Sequence, residues 1–110
     1  MFWRFRSRAR DEQTDIARLG PVRAAIDKAL AEAEREFNGL KTRLEEARAR
    51  AAIMMGNDLE DAALQRDSLP LREIEDFFQI AERRLRGLED QMATLRKLRE
   101  TVDATGVPEA

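Results

Sequence analysis

The sequence predicts an all-α protein in which two long helices form an antiparallel coiled-coil hairpin with a short connecting helix. Composition is the first reason, because 38% of the 110 residues are charged while Gly (5) and Pro (3) are scarce, as is typical of long helices. The second reason is spacing. Apolar residues recur in alternating steps of three and four along two segments, which is the heptad repeat of a coiled coil. We refer to each such row of residues as a seam.

Residues 1–20 are expected to form a basic and aromatic arm in front of the hairpin, which covers residues 21–103. The stretch MFWRFRSRAR has an arginine at every even position from Arg4 to Arg10. In an extended chain these arginines share one edge, while Trp3 and Phe5 share the other with Ser7 and Ala9, which favours contact with a partner surface. The arm residues predicted to make that contact are Phe2, Trp3, Arg4, Phe5, Arg6, Arg8 and Arg10.

The first long helix is expected over residues 21–55. Pro21 follows Gly20 and suits the first turn of a helix, while Gly56-Asn57 offers a C-terminal cap. The seam of this helix keeps its steps of four and three throughout. Its members are Ile26, Leu30, Ala33, Phe37, Leu40, Leu44, Ala47, Ala51 and Met54.

The second half of the chain predicts a short connecting helix over 58–66 and a second long helix over 69–103. Asp67-Ser68 supplies an N-terminal cap for the latter, and Pro70 is tolerated in the first turn. Residues 104–110 contain Gly106 and Pro108 and are expected to form a flexible tail. The second seam comprises Leu71, Ile74, Phe78, Ala81, Leu85, Leu88, Met92 and Leu95, after which the repeat is expected to slip to Leu98 and Val102.

The two seams can be aligned by the sizes of their residues. An antiparallel alignment that places Leu44 opposite Ala81 also places Ala47 opposite Phe78, so that small residues meet large ones. Two regular heptad repeats also match each other when one helix is shifted along the other by seven residues. The predicted alignment therefore depends on size matching and on the length of the turn.

Outside the seams, the two flanks of the predicted hairpin differ in polarity. With Phe37 and Leu85 at heptad position a, the flank formed by positions b and e is expected to be largely polar, since it holds Asp27, Glu34, Lys41, Glu45, Arg48, Glu75, Glu82, Arg86, Glu89 and Arg96. We call it the polar flank. The opposite flank, formed by positions c and g, is called the apolar flank and holds Val22, Ala25, Ala29, Gly39, Ile53, Phe77, Ile80, Gly87, Thr94 and Leu98.

The apolar flank is the predicted site of self-association into a four-helix bundle. A partner helix that crosses closely would explain Gly39 and Gly87, each of which costs about 1 kcal/mol relative to Ala in a helix interior. They could equally be tolerated surface glycines. Phe77 and Ile80 could instead be covered by the connecting helix or by a foreign protein. The residues assigned to the dimer or partner interface are Ile53, Phe77, Ile80, Gly39, Gly87 and Leu98.

The residue inventory excludes several chemistries. The chain has no Cys and no His, which rules out disulfides, the usual zinc sites and imidazole catalysis. It has no Gly-rich phosphate loop. We therefore expect no enzymatic activity, cofactor, metal or small-molecule substrate. The sequence also contains no apolar run as long as a signal peptide core or a membrane span, which predicts a soluble, cytoplasmic protein.

Together these features predict a non-enzymatic protein–protein interaction or assembly module, built on a homodimeric hairpin that also binds an unidentified protein. The alternative is a peripheral protein of the inner membrane surface, whose arm contacts anionic lipid. Nucleic-acid binding ranks last because the helices carry no continuous basic stripe. The arm could also fold back on the helical body, and the acidic Asp11, Glu12 and Asp15 partly neutralise it.

Overall fold

The computed structural model of the protein describes residues 7–57 and 69–105. These residues form two long helices, α1 (Arg8–Asn57) and α2 (Leu69–Asp103), which pack against each other as a hairpin. Neither described range contains a strand. The all-α fold with two long helices is therefore confirmed. The connecting helix expected at 58–66 lies outside the described residues.

Helix α1 begins at Arg8, so the start predicted at Pro21 is wrong. Ser7 caps the helix, because its hydroxyl oxygen accepts a hydrogen bond from the backbone N–H of Arg10 at 3.1 Å. Asp11 lies in the first turn, where a negative charge is favourable. Residues 8–20, which were assigned to the arm, are thus helical.

Pro21 is accommodated inside α1 because it lies on an exposed side of the helix. Proline has no N–H, so the carbonyl of Ala17, four residues earlier, receives no backbone hydrogen bond from it. Ala17 is also exposed, and water can hydrogen-bond to that carbonyl. The lost hydrogen bond therefore leaves no buried polar group without a partner at this point of the helix.

The chain divides into two compact units. The first unit combines α1 up to Ala33 with α2 from Gln91, and the second runs from Glu34 to Asp90. Every buried apolar residue among those described occupies a predicted seam position. In the first unit these are Ile26, Leu30, Ala33 and Met92, and in the second they are Leu44, Ala81 and Leu88.

Ion pairs establish the antiparallel arrangement of the helices in the second unit. Glu36 pairs with Arg84, whereas Arg48, further along α1, pairs with Glu82, which comes earlier in α2. The guanidinium of Arg48 also lies 5.9 Å from the centre of the Phe78 ring, a cation–π contact. Burial decreases toward the end of α1, where Met54 is 52% exposed.

The seam of the first unit extends beyond the residues assigned to it. Arg23 is buried, three residues before Ile26. Val102, to which the second seam was expected to extend, is half-buried near the end of α2. The predicted slip to Leu98 is wrong, because Leu98 is exposed and Arg99 takes the next seam position. An arginine can occupy such a position because its aliphatic stem packs in the seam while the guanidinium reaches a polar edge.

Arg23 ties α1 to the last turn of α2. Its Nε and Nη2 donate to the two carboxylate oxygens of Asp103 at 2.6 and 3.3 Å, and its Nη1 donates to Asp27 at 2.9 Å. Arg99 in turn lies 3.6 Å from Asp27. A carboxylate at a helix C-terminus is unfavourable by itself, so Arg23 compensates for the position of Asp103.

Replacing Arg23 with alanine is expected to lower the free energy of unfolding by about 1–2 kcal/mol, because the change removes a buried aliphatic stem together with its hydrogen bonds. Urea denaturation followed by far-ultraviolet circular dichroism measures the loss. Arg83→Ala is the matched control, since Arg83 is exposed, and it should change stability by less than about 0.5 kcal/mol. Equal losses in the two variants would contradict a structural role for Arg23.

Candidate interaction surface

Four charged residues of the polar flank, Asp27, Arg48, Glu82 and Asp103, form ion pairs within the hairpin. In the first unit, Asp27 and Asp103 both bind Arg23. In the second unit, Arg48 of α1 pairs with Glu82 of α2. These side chains join one helix to the other, so the polar flank contributes to holding the hairpin together and is the weaker candidate for a partner surface.

In the first unit the apolar flank is free of charged residues over several helical turns. Between Arg18 and Glu32, the c and g positions of α1 hold Val22, Ala25 and Ala29. Val22 is 46% exposed, and Leu98 on α2 is 47% exposed. We call this region the uncharged surface, and its members are Val22, Ala25, Ala29, Thr94, Leu98 and Thr101.

In the second unit the apolar flank is interrupted by charges. Ile53 and Ile80 are 62% and 65% exposed, and Phe77 is half-buried with its ring 6.3 Å from that of Phe78. The same flank, however, carries the ion pair in which Arg84 donates twice to Glu36, at 2.6 and 2.9 Å. The predicted apolar character therefore applies to parts of this unit and not to its whole flank.

Gly39 and Gly87 lie among these charges. The Nε of Arg43 donates to the carbonyl oxygen of Gly39 at 3.4 Å. Apart from the local backbone of its own helix, a Cβ atom built on either glycine would find no heavy atom within 4 Å. Nothing within the described chain thus requires glycine at these positions, which leaves either a close partner or simple tolerance as the reason for them.

Hydrogen bonds to arginine shift the protonation of two carboxyl groups. The hydrogen bond from Arg84 lowers the pKa of Glu36, and the one from Arg23 lowers the pKa of Asp103. The same contact with Glu36 raises the pKa of Arg84. These carboxylates hold their charge more firmly than usual, which suits ion pairing and does not suit proton transfer near neutral pH.

Only part of the predicted arm lies within the described residues. Phe2, Trp3, Arg4, Phe5 and Arg6 lie outside them. Arg8 and Arg10 are exposed in the first turn of α1. The extended edge predicted for the arginines therefore does not reach residues 8–10, where the chain is already helical.

Arg23 is the residue that sequence reasoning missed. A signal was present, because the steps of four and three continue from Ile26 back to Arg23 and Leu19. Because Pro21 was taken as the start of the helix, the seam was expected to begin at Ile26. Residues 7–57 and 69–105 show no group of three or more potential metal ligands, and neither α1 nor α2 contains a described stretch long and apolar enough to cross a bilayer.

No protein-family model matches the chain, and neither the curated proteins nor the solved structures contain a significant match to it. The interpretation of these surfaces therefore rests on their own chemistry.

Stability is expected to fall as the pH is lowered through the acid range. Glu36 and Asp103 have lowered pKa values in the folded chain, so the unfolded chain binds protons more readily. Their contribution is fully present above the ordinary carboxyl pKa of about 4 and is lost as the pH falls below it. Thermal unfolding at a series of pH values tests this. Asp103→Asn should flatten the acid dependence, and an unchanged slope in that variant would contradict the assignment.

Alanine at Gly39 or at Gly87 is expected to raise the free energy of unfolding by about 1 kcal/mol, because an added Cβ meets open space and favours the helix. Denaturant titration of each variant measures the gain. Ala49→Gly, at an exposed helical site of the same unit, is the reverse control and should lose a similar amount. Destabilisation by Gly39→Ala would show that the glycine is needed for the close approach of another helix.

Proposed function

We propose that the chain is a non-enzymatic protein–protein interaction or assembly module, built on a hairpin that forms a homodimer. The observation that supports this most strongly is the position of the exposed aliphatic residues. Five Ile, Val and Leu residues of the described chain are exposed, and four of them belong to the apolar flank: Val22 and Leu98 in the first unit, and Ile53 and Ile80 in the second. The fifth, Ile16, lies in line with the seam of α1. Exposed aliphatic residues concentrated on one flank of a highly charged chain are typical of a contact surface.

The small core favours association as well. The seven buried apolar residues of the described chain form one narrow row in each unit, and two of them, Ala33 and Ala81, are small. A narrow core leaves a small margin of stability after the cost of chain ordering. Association stabilises such a chain because the partner binds the folded state alone.

The chemical inventory supports a role in binding. Without His or Cys, the groups left for catalysis are carboxylates, lysines and hydroxyls. The carboxyls with shifted pKa values, Glu36 and Asp103, are exposed and bound to arginines. We place the module in the cytoplasm, whose reducing conditions suit a chain without cysteines. We expect the two copies in the homodimer to hold their binding surfaces at a fixed spacing, at which a further protein is bound.

Sedimentation equilibrium at micromolar concentration is expected to give twice the 12.6 kDa mass of the chain. A mass that stays at that of one chain over the whole concentration range would contradict the proposal. Glutamate at Leu98 or at Ile80 should dissociate the dimer if that position lies in the interface, while the circular dichroism of the helices is retained. Lys97→Glu provides the control, because the neighbouring Lys97 lies off the apolar flank and its replacement should leave the dimer intact.

A further inference from the structure

The uncharged surface of the first unit has opposite charges at its two ends along α1. Arg18, Ala25 and Glu32 are spaced by seven residues, which places them on one line along the helix. All three are exposed. Arg18 and Glu32 each lie about 10.5 Å from Ala25 along the axis, at 1.5 Å per residue. Positive, neutral and negative groups therefore follow one another symmetrically about Ala25.

This order of charges is complementary to itself. A two-fold axis at Ala25 places α1 of a second copy antiparallel to α1 of the first. Arg18 of each copy then lies opposite Glu32 of the other. The contact forms twice in one dimer. A foreign partner would have to reproduce the reversed order of charges, whereas a second copy supplies it without any further requirement.

The uncharged residues fit the same arrangement. Val22 and Ala29 lie on either side of Ala25, and reversal of the helix places Val22 of one copy near Ala29 of the other. A larger side chain then meets a smaller one, as close packing requires. On α2, Leu98 supplies the exposed aliphatic group of the surface. The corresponding flank of the second unit carries the Glu36–Arg84 ion pair, which a partner helix would have to desolvate.

We propose that two copies of the chain associate through the uncharged surface, with their α1 helices antiparallel about a two-fold axis at Ala25. The inference rests on the homodimer proposed above and specifies which surface forms it. The surface is about 21 Å long from Arg18 to Glu32 and about 20 Å wide across two helices, or about 400 Å². That is about half the area per partner of a standard interface, so the dimer is reversible. Because ion pairs between exposed residues contribute to it, the dimer is also sensitive to salt.

Charge reversal tests the arrangement of α1. Arg18→Glu and Glu32→Arg should each weaken dimerisation roughly tenfold, because each single change creates two like-charge contacts in the dimer. The double variant R18E/E32R restores opposite charges and should return to within about threefold of the original dissociation constant. Sedimentation velocity at low ionic strength measures all four proteins, and circular dichroism checks that each remains helical. A double variant that dimerises no better than the single variants would overturn the proposal.

Disulfide cross-linking tests the position of the axis, since the chain has no native cysteine. Under mild oxidation, Ala25→Cys should form a covalent dimer, because the two copies of that residue meet at the axis. Ala24→Cys is the matched control. Ala24 is also exposed but lies on the polar flank, and its cysteine should remain unlinked. Equal cross-linking of the two variants, or none at position 25, would overturn the proposed axis.

The two proposals fail in different ways. If the unmodified chain has the mass of a dimer while neither charge reversal nor cross-linking behaves as described, the homodimer stands and the uncharged surface is the wrong interface. If the unmodified chain has the mass of a single copy throughout, the homodimer itself is wrong.

Discussion

The hairpin depends on burial of one apolar row on each helix. Leu88 is 1% exposed and Leu44 is 3% exposed, whereas exposed aliphatic residues such as Ile80 lie off the row. Hydrophobic stabilisation increases with the apolar area removed from water, so most of it must come from these few positions. Every other face of α1 and α2 is then available for solvent, for ion pairs or for a partner. A single buried row therefore both stabilises the fold and determines which surfaces remain for function.

Arg23 adds specificity to that burial. Transferring a guanidinium from water into a protein interior is costly, and its hydrogen bonds to Asp103 and Asp27 offset the cost. Apolar residues repeated every seven positions pack almost equally well after a slide of seven. In one such slide Arg23 would lie near Arg96 in place of Asp103, and two positive charges would meet. The buried arginine thus distinguishes between alignments that the apolar residues alone leave nearly equal.

The bounds of α2 and the buried apolar residues of the seams could be predicted from the sequence because both follow from local signals. Heptad spacing identifies the face that becomes buried, and Asp67-Ser68 precedes a helix that begins at Leu69. The start of α1 could not be predicted in the same way. Proline is common at a first turn, and only the structure shows that the exposed position of Pro21 allows the helix to continue through it.

The interaction surface was predictable in outline only. Spacing places Leu98, Ile53 and Ile80 on one flank, and all three are exposed. Spacing does not show which charges reach across the seam, because that depends on the rotamers of long side chains. The ion pair between Glu36 and Arg84 is such a case, and it divides a flank that the sequence alone presents as half apolar.

Pro21 has a further consequence for the turns of α1 that precede it. Helical order normally spreads from turn to turn through successive backbone hydrogen bonds, and the missing donor at Pro21 weakens that coupling. The turns between Ser7 and Pro21 are therefore less tightly coupled to Arg23 and the residues after it than they would be in a helix without proline. The cost of opening the turns before Pro21 is therefore lower than in a helix whose ladder of hydrogen bonds is unbroken.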